Sequence, residues 1–420
     1  MADLKITFAG IPAPNPFWLA SAPPTNTGEQ VMRAFDMGWG GAVWKTLSDP
    51  IVNVSSRLAG VDHGGRRLMG MNNIELSTDR SLAVNFKEIT EVKRRFPDHA
   101  LVASLMHAAD REAWLDLARR AEDTGCDALE LNFGCPHGMP ERGMGAAIGQ
   151  VPEYTREITE WVKQAARLPI LVKLTPNVSD VAYIARAAAE GGADGLTLIN
   201  TVASITGVDL ETFTPRPVVG DRSSHGGYCG PAVKPIALYQ VARVARSGAD
   251  LPIGGIGGVA TWRDAAEFIL LGATHVQICT AVMHHGFRII EDLCDGLSSY
   301  LDEKGLPDVA SLCGRALPRL GAWEELDLNY RVVASIDQER CIGCGVCYPA
   351  CRDGGHQAIE ARADPEGGRT RVEVNEERCV GCNLCSLICP VHDCITMREA
   401  GPRQPPRSWK QVLAERTETN

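Results

Sequence analysis

The stretch PILVKLTPNVSDVAYIARAAAEGGADGLTLIN, residues 169–200, decides the fold of the larger part of the chain. Ile170–Leu174 is a short apolar run of strand length that ends in a lysine and a leucine. Ser179-Asp180 is an N-cap signal, and Ser179–Glu190 keeps a helical period until Gly191-Gly192 stops it. Leu196–Asn200 is a second apolar run that ends in an asparagine. Strand, helix and strand within about 30 residues make a βαβ unit, whose two strands lie parallel.

Working outward, the same alternation recurs. The other apolar runs are Trp18–Ser21, Gly41–Thr46, Leu101–Met106, Ala128–Phe133, Pro252–Gly257 and Val276–Thr280. Ala113–Glu122 is a helix with Trp114, Leu117, Ala118 and Ala121 on one face. Thr261–Leu271 is another, with Thr261 as cap and Asp264 at the capping-box position. Eight strands alternating with helices predict an α/β fold, a parallel sheet closed into a (β/α)8 TIM barrel; an open doubly wound sheet is the alternative. The barrel is expected over residues 1–305, a linker over 306–334, a small α+β ferredoxin-like domain over 335–400 and a polar tail over 401–420.

The chain has 420 residues and a net charge of −10, which argues against nucleic-acid or anionic-membrane surfaces. No apolar run reaches the roughly 20 residues of a membrane span, and the first residues lack a signal-peptide pattern, so a cytoplasmic location is expected. The 15 cysteines exclude complete disulfide pairing, and eight of them fall in two tight runs.

The two runs share the spacing C-x2-C-x2-C-x3-C: Cys341, Cys344, Cys347 and Cys351, then Cys379, Cys382, Cys385 and Cys389, the last followed by Pro390. Three thiolates on one tight loop cap a cubane and the fourth cysteine ligates the other cluster. Cys341, Cys344, Cys347 and Cys389 are thus expected to hold one [4Fe-4S] cluster, and Cys379, Cys382, Cys385 and Cys351 the other. Gly343, Gly345 and Gly381 let backbone N–H groups approach the sulfides. Structural zinc is the alternative, but it does not explain the doubled third and fourth spacings. Cys394 lies outside the pattern and is expected to be a packed thiol, as are Cys126, Cys229, Cys279, Cys294 and Cys313. Clusters move single electrons, so hydride chemistry needs a flavin beside them.

Barrel chemistry sits where the strands end. There the sequence places Ser21, Lys45, Asn132, Lys173, Asn200, Gly257-Gly258 and Thr280. Lysines and asparagines at the ends of apolar strands need partners, and four around one rim suit a ligand rich in carbonyls and nitrogens. Gly254-Gly-Ile-Gly257-Gly258-Val-Ala260 opens a helix and suits a phosphate, which favours FMN. It also fits G-x-G-x-x-A, but no acidic residue follows at the dinucleotide spacing. The loop Asn132-Phe-Gly134-Cys135-Pro-His137-Gly138 is glycine-rich and offers Cys135 as a general acid, a small buried residue being the alternative; His137 is an acid or, the favoured reading, a loop residue, and His284-His285 face apart on a helix and form no metal pair.

The motifs Leu19-Ala-Ser21-Ala-Pro, Lys45-Thr46, Asn73-Ile-Glu75-Leu76, Asn132-Phe-Gly-Cys-Pro-His-Gly-Met, Lys173-Leu-Thr-Pro-Asn177 and Ile199-Asn200-Thr201, with both cysteine runs, carry a family resemblance. Over residues 5–398 the chain resembles the FMN and iron–sulfur subunit of bacterial NAD-dependent dihydropyrimidine dehydrogenases. It is also similar to the C-terminal part of the longer eukaryotic enzymes, and its barrel resembles dihydroorotate dehydrogenases. The resemblance implies that Ala20, Ser21, Lys45, Lys173, Gly258 and Thr280, with Gly257 from the glycine run, hold FMN. It implies that Asn73, Glu75, Asn132, Asn200 and Thr201 bind a pyrimidine. Cys135 then protonates C5 of uracil or thymine while C6 receives hydride. No dinucleotide fold is visible, so NADH or NADPH is expected to be oxidised on a partner FAD/iron–sulfur subunit of a hetero-oligomer. Ser77 stands where the eukaryotic enzyme is expected to have a larger apolar residue, and Gly134 replaces a serine, which is expected to loosen a contact beside the acid. The rival readings are a dihydroorotate dehydrogenase-like or other FMN ene-reductase, and an electron-transfer subunit without its own substrate. Glu75 counts against the carboxylate of orotate.

Overall fold

The computed structural model describes residues 2–49, 51–63, 66–362, 369–402 and 405–418. Two compact units are present, Met1–Pro318 and Arg319–Asn420.

In the first unit eight parallel strands close on themselves in chain order, so the sheet is a barrel and not an open doubly wound sheet. They are β1 (Phe17–Leu19), β2 (Gly41–Leu47), β3 (Ala100–Leu105), β4 (Ala128–Asn132), β5 (Ile170–Lys173), β6 (Gly195–Leu198), β7 (Ile253–Ile256) and β8 (Ala273–Ile278). Nearly every residue in them is buried, as expected when one face looks into the barrel and the other is covered by helices. The intervening helices start where the sequence sets a cap. Asp180 accepts from the Ala182 N–H at 3.0 Å, so helix Val181–Glu190 begins one residue later than a Ser179 cap implies. Thr261 and Asp264 form the expected capping box on helix Trp262–Leu270. Trp114, Leu117, Ala118 and Ala121 are the buried face of helix Arg111–Glu122, which Asp110 caps. An N-terminal hairpin, Ile6–Phe8 with Ile11–Ala13, seats Phe8 against Trp18 and His275 near the starts of the barrel strands.

Three regions differ from expectation. A four-stranded antiparallel sheet joins Leu58–His63 and Arg66–Asn73, after β2, to Val202–Ser204 and Gly226–Cys229, after β6. It spans two loops on the C-terminal side of the barrel and has no counterpart among the apolar runs. Residues 306–318, expected as linker, pack on the barrel. Leu306, Val309 and Leu312 are buried, and Gly314 donates to the Ile269 carbonyl at 2.9 Å. The polar tail contains a helix, Trp409–Glu418, whose Trp409 ring lies 6.0 Å edge-on from Trp323.

The second unit pairs Val332–Ile336 with Ile395–Glu399 and Ile359–Arg362 with Arg371–Val374. Each cysteine loop runs into a short helix, Cys347–Gly354 or Leu384–Leu387. Its buried core is small: Ala334, Cys347, Ile359, Val372, Cys385, Cys394 and Ile395. Among the described residues no helix is long and apolar enough to cross a membrane.

Candidate active site

The sheet register sets polar side chains next to one another at the strand ends. Lys173, the last residue of β5, is level with Asn132 of β4 on one side and Thr197 of β6 on the other. A cavity of about 420 Å³ opens above them, within the usual size range of ligand pockets. Ala20, Ser21, Lys45, Asn132, Lys173, Asn200, Thr201, Gly257, Gly258 and Thr280 line it from the barrel ends. Asn73, Glu75 and Cys135 line it from the overlying loops. Every barrel residue assigned from the sequence to cofactor, substrate or acid therefore borders one space.

The rim is fixed by its own hydrogen bonds. Ser21 and Thr46 hydroxyls are 3.0 Å apart, and Asn132 donates to Thr46 Oγ1 at 2.9 Å. The Asn132 side-chain oxygen Oδ1 accepts from Asn200 Nδ2 at 3.0 Å and from the Gly134 N–H at 3.1 Å. A Cβ on Gly134 would lie 2.5 Å from Asn200 Cβ. A side chain at 134 would have to displace Asn200, so the glycine allows this close approach. Ser77 is buried, and its hydroxyl bonds Ser48 at 2.6 Å.

Charges are paired. Glu75 is held by Lys45 on one oxygen and by Arg57 Nε at 3.2 Å on the other. Lys173 Nζ stands 3.8 Å from Oε1 of Glu130, a carboxylate inside the barrel with no exposure. Gly257 and Gly258 have φ of +131° and +78°, and a Cβ on Gly258 would meet the Gly230 carbonyl oxygen at 2.8 Å. Only glycine fits this turn, so its backbone stays bare toward the cavity. The helix that follows is less open than the sequence implied. Asp264 accepts from the Ala260 and Thr261 N–H groups at 3.0 and 2.8 Å, leaving the glycine turn as the phosphate-sized cradle.

Cys135 packs with Ile51, Met106, Met139, Leu76 and Met144 in a separate apolar cluster. Burial there pushes its thiol up to about 11, so it stays protonated at neutral pH. Its Sγ lies 3.5 Å from the His137 carbonyl oxygen. His137 lies in a loop, as expected. It is buried, its Nε2 is 3.0 Å from the Glu75 carbonyl oxygen, and it ties the acid's loop to the strand end bearing Glu75. Cys229 and Cys279, expected as packed thiols, also line the cavity, whereas Cys313 is exposed. Cys126 is fully packed. The sequence reading missed Arg57, Glu130, Gln277 and Tyr228. A glutamate within the apolar run Ala128–Phe133 and a glutamine within Val276–Thr280 were the visible signals.

In the second unit Cys351, Cys379, Cys382 and Cys385 line one cavity, and Cys341, Cys344, Cys347 and Cys389 line another. Cys394 borders the latter, but its Sγ lies 3.7 Å from the Asp337 carbonyl oxygen. Among the described residues no three Cys, His, Asp or Glu side chains close on a single-ion point. Each cysteine set instead rings a space, as ligands standing around a cubane do. Gly343 and Gly381 turn the loops at φ of +69° and +67°.

A family model described as dihydroorotate dehydrogenase matches residues 3–301. The chain belongs to the dihydroorotate dehydrogenase family. A 4Fe-4S dicluster domain model matches residues 334–397 of this family member. It is 43% identical to the NAD-dependent dihydropyrimidine dehydrogenase subunit PreA of Escherichia coli K12, over 85% of this chain and 87% of the relative. It is 41% identical to the chloroplastic dihydropyrimidine dehydrogenase (NADP(+)) of Arabidopsis thaliana, over 75% of this chain and 77% of that one. Against the catalytic subunit of dihydroorotate dehydrogenase B (NAD(+)) of Pyrococcus abyssi, identity is 37% over 75% of this chain and 99% of the relative. The cofactors of this family member are FMN in the barrel and two [4Fe-4S] clusters in the second unit. The bare glycine turn, the lysine pair and the cavity volume fit FMN, and the two cysteine-lined cavities fit the clusters. The PreA relative is named a subunit, which implies a partner subunit.

Proposed function

We propose that this chain reduces uracil or thymine to the 5,6-dihydropyrimidine. Its electrons come from NAD(P)H oxidised on a separate FAD/iron–sulfur subunit and pass through the two clusters. The observation that carries this reading is a protonated thiol, Cys135, bordering the same cavity as three asparagines, a threonine and a glutamate. An imide ring presents alternating donors and acceptors, and amide side chains match both. FMN, when bound, converts single electrons from the clusters into a hydride for C6.

The chain's residues do the rest. Ala20, Ser21, Lys45, Lys173, Gly257, Gly258 and Thr280 hold FMN. Asn73, Asn132, Asn200 and Thr201 orient the pyrimidine, and Glu75 accepts from a ring N–H. Cys135 transfers its Sγ proton to C5 as C6 takes hydride, then regains a proton from water before the next turnover. The pairing of Glu75 with Lys45 and Arg57 offsets its charge. Glu75 itself offers a ligand only acceptors, so selection of uracil over orotate is expected to rest on its match to a ring N–H rather than on net charge. Cys341, Cys344, Cys347 and Cys389 ligate one cluster; Cys379, Cys382, Cys385 and Cys351 ligate the other. A hetero-oligomer in the cytoplasm, with neither nucleic acid nor membrane as partner, completes the reading.

A relay subunit without substrate needs no acid beside its flavin, so Cys135 separates the two readings. Cys135→Ala is expected to lower uracil turnover by about 10²–10⁴-fold with flavin and iron content unchanged. Wild-type turnover in that variant would overturn the assignment.

A further inference from the structure

Beneath the cavity floor lies a charge that the reaction as proposed does not use. Glu130 is the third residue of β4, points into the barrel and has no exposure. Its Oε2 accepts from Thr197 Oγ1 at 2.9 Å and from Gln277 Nε2 at 3.5 Å. Among the described residues its Oε1 has no hydrogen-bond partner, and it stands 3.8 Å from Lys173 Nζ. A buried carboxylate on an apolar strand is costly unless a cation compensates it. Lys173, nearly buried itself, is the cation that faces both Glu130 and the cavity.

We propose that Glu130 is a positioning residue that acts through Lys173, holding the ammonium at the cavity floor and partly cancelling its field on the flavin. The inference rests on the assignment of Lys173 to FMN. Lys173 attracts the negative charge that the ring gains on reduction, and Glu130 weakens that attraction. The pair thereby keeps the flavin potential low enough to deliver hydride. Without Glu130, Lys173 favours the reduced ring.

Glu130→Gln keeps the volume and removes the charge. In the full chain, purified anaerobically, reduced FMN is expected to gain at least tenfold in affinity relative to oxidised FMN. That is an upward shift of about 30 mV for the two-electron couple. In a Lys173→Met background there is no ammonium for Glu130 to hold, so Glu130→Gln is expected to shift the potential by clearly less there than in the Lys173-containing protein. Glu130→Asp, which keeps the charge but withdraws it, is expected to give a smaller shift of the same sign and serves if the glutamine variant does not fold. An unchanged potential in the Lys173-containing protein, or the same shift in both backgrounds, would refute the role of Glu130. Wild-type protein without bound flavin would refute the FMN assignment instead, and the two failures are told apart by absorbance.

Discussion

The two units solve the same problem, holding a redox group in place, by different means. The barrel packs one continuous apolar core around and behind its strands, and its site residues are locked by mutual bonds such as Asn132 with Thr46 and Asn200. Among the described residues the buried cluster that centres the cysteine unit has seven members, and three of them are cysteines. Two of those three, Cys347 and Cys385, belong to the cluster-binding spacing. The barrel should therefore stand without its ligand, while the second unit should depend on its clusters, because ligand binding there is folding free energy.

The largest test of that contrast removes the metal. Cys347→Ser, or chelation of iron from the whole chain, is expected to abolish the melting transition of the second unit. The barrel transition should stay within a few degrees, read by calorimetry, and FMN should remain bound. Loss of both transitions together would break the comparison.

Acid tests the barrel alone. His275 is fully buried against Trp18 and Phe8, with neither ring nitrogen partnered among the described residues, and burial holds it down to about 3. The unfolded chain takes up this proton near pH 6.5 while the folded chain resists it. Stability is then full above pH 6.5 and falls progressively toward pH 3, by at most about 5 kcal/mol. Replacing His275 with Asn should flatten the dependence of barrel Tm on pH between 6.5 and 4; an unchanged slope would place the acid sensitivity elsewhere.

A smaller effect is local to the cradle. Gly258→Ala puts a Cβ against the Gly230 carbonyl at a positive φ and should cost roughly 1–3 kcal/mol. Most of that should appear as weaker FMN binding with cluster content intact, measured by flavin titration of apoprotein. The smallest is Thr261→Ala, which removes a helix cap in the barrel unit and should cost about 1 kcal/mol of barrel stability, read from the urea midpoint.

The same contrast explains what the sequence reveals. Barrel strands are buried on both faces, so they appear as unbroken apolar runs, and the residues that end those runs are the ones that line the cavity. Cluster loops are dictated by cubane geometry, and their spacing is visible at once. The four-stranded antiparallel sheet was invisible because Arg66–Asn73 pairs with Gly226–Cys229, more than 150 positions away. Leu58–His63 and Arg66–Asn73 mix charged, polar and glycine residues without a clean period. Arg57 gained meaning only when Glu75 was brought beside it. Glu130 did stand out in a run of apolar residues, yet its role depends on Lys173 reaching the same depth from the neighbouring strand. Helix Trp409–Glu418 lacks an amphipathic pattern and is held by the contact of Trp409 with Trp323, which no local signal announces.

The most direct test reduces the anaerobic full chain with dithionite, removes the excess reductant, and mixes it with uracil or with orotate. The account predicts that uracil restores the oxidised flavin spectrum with one dihydrouracil formed per electron pair, while orotate leaves the protein reduced. Re-oxidation by orotate and none by uracil would contradict it.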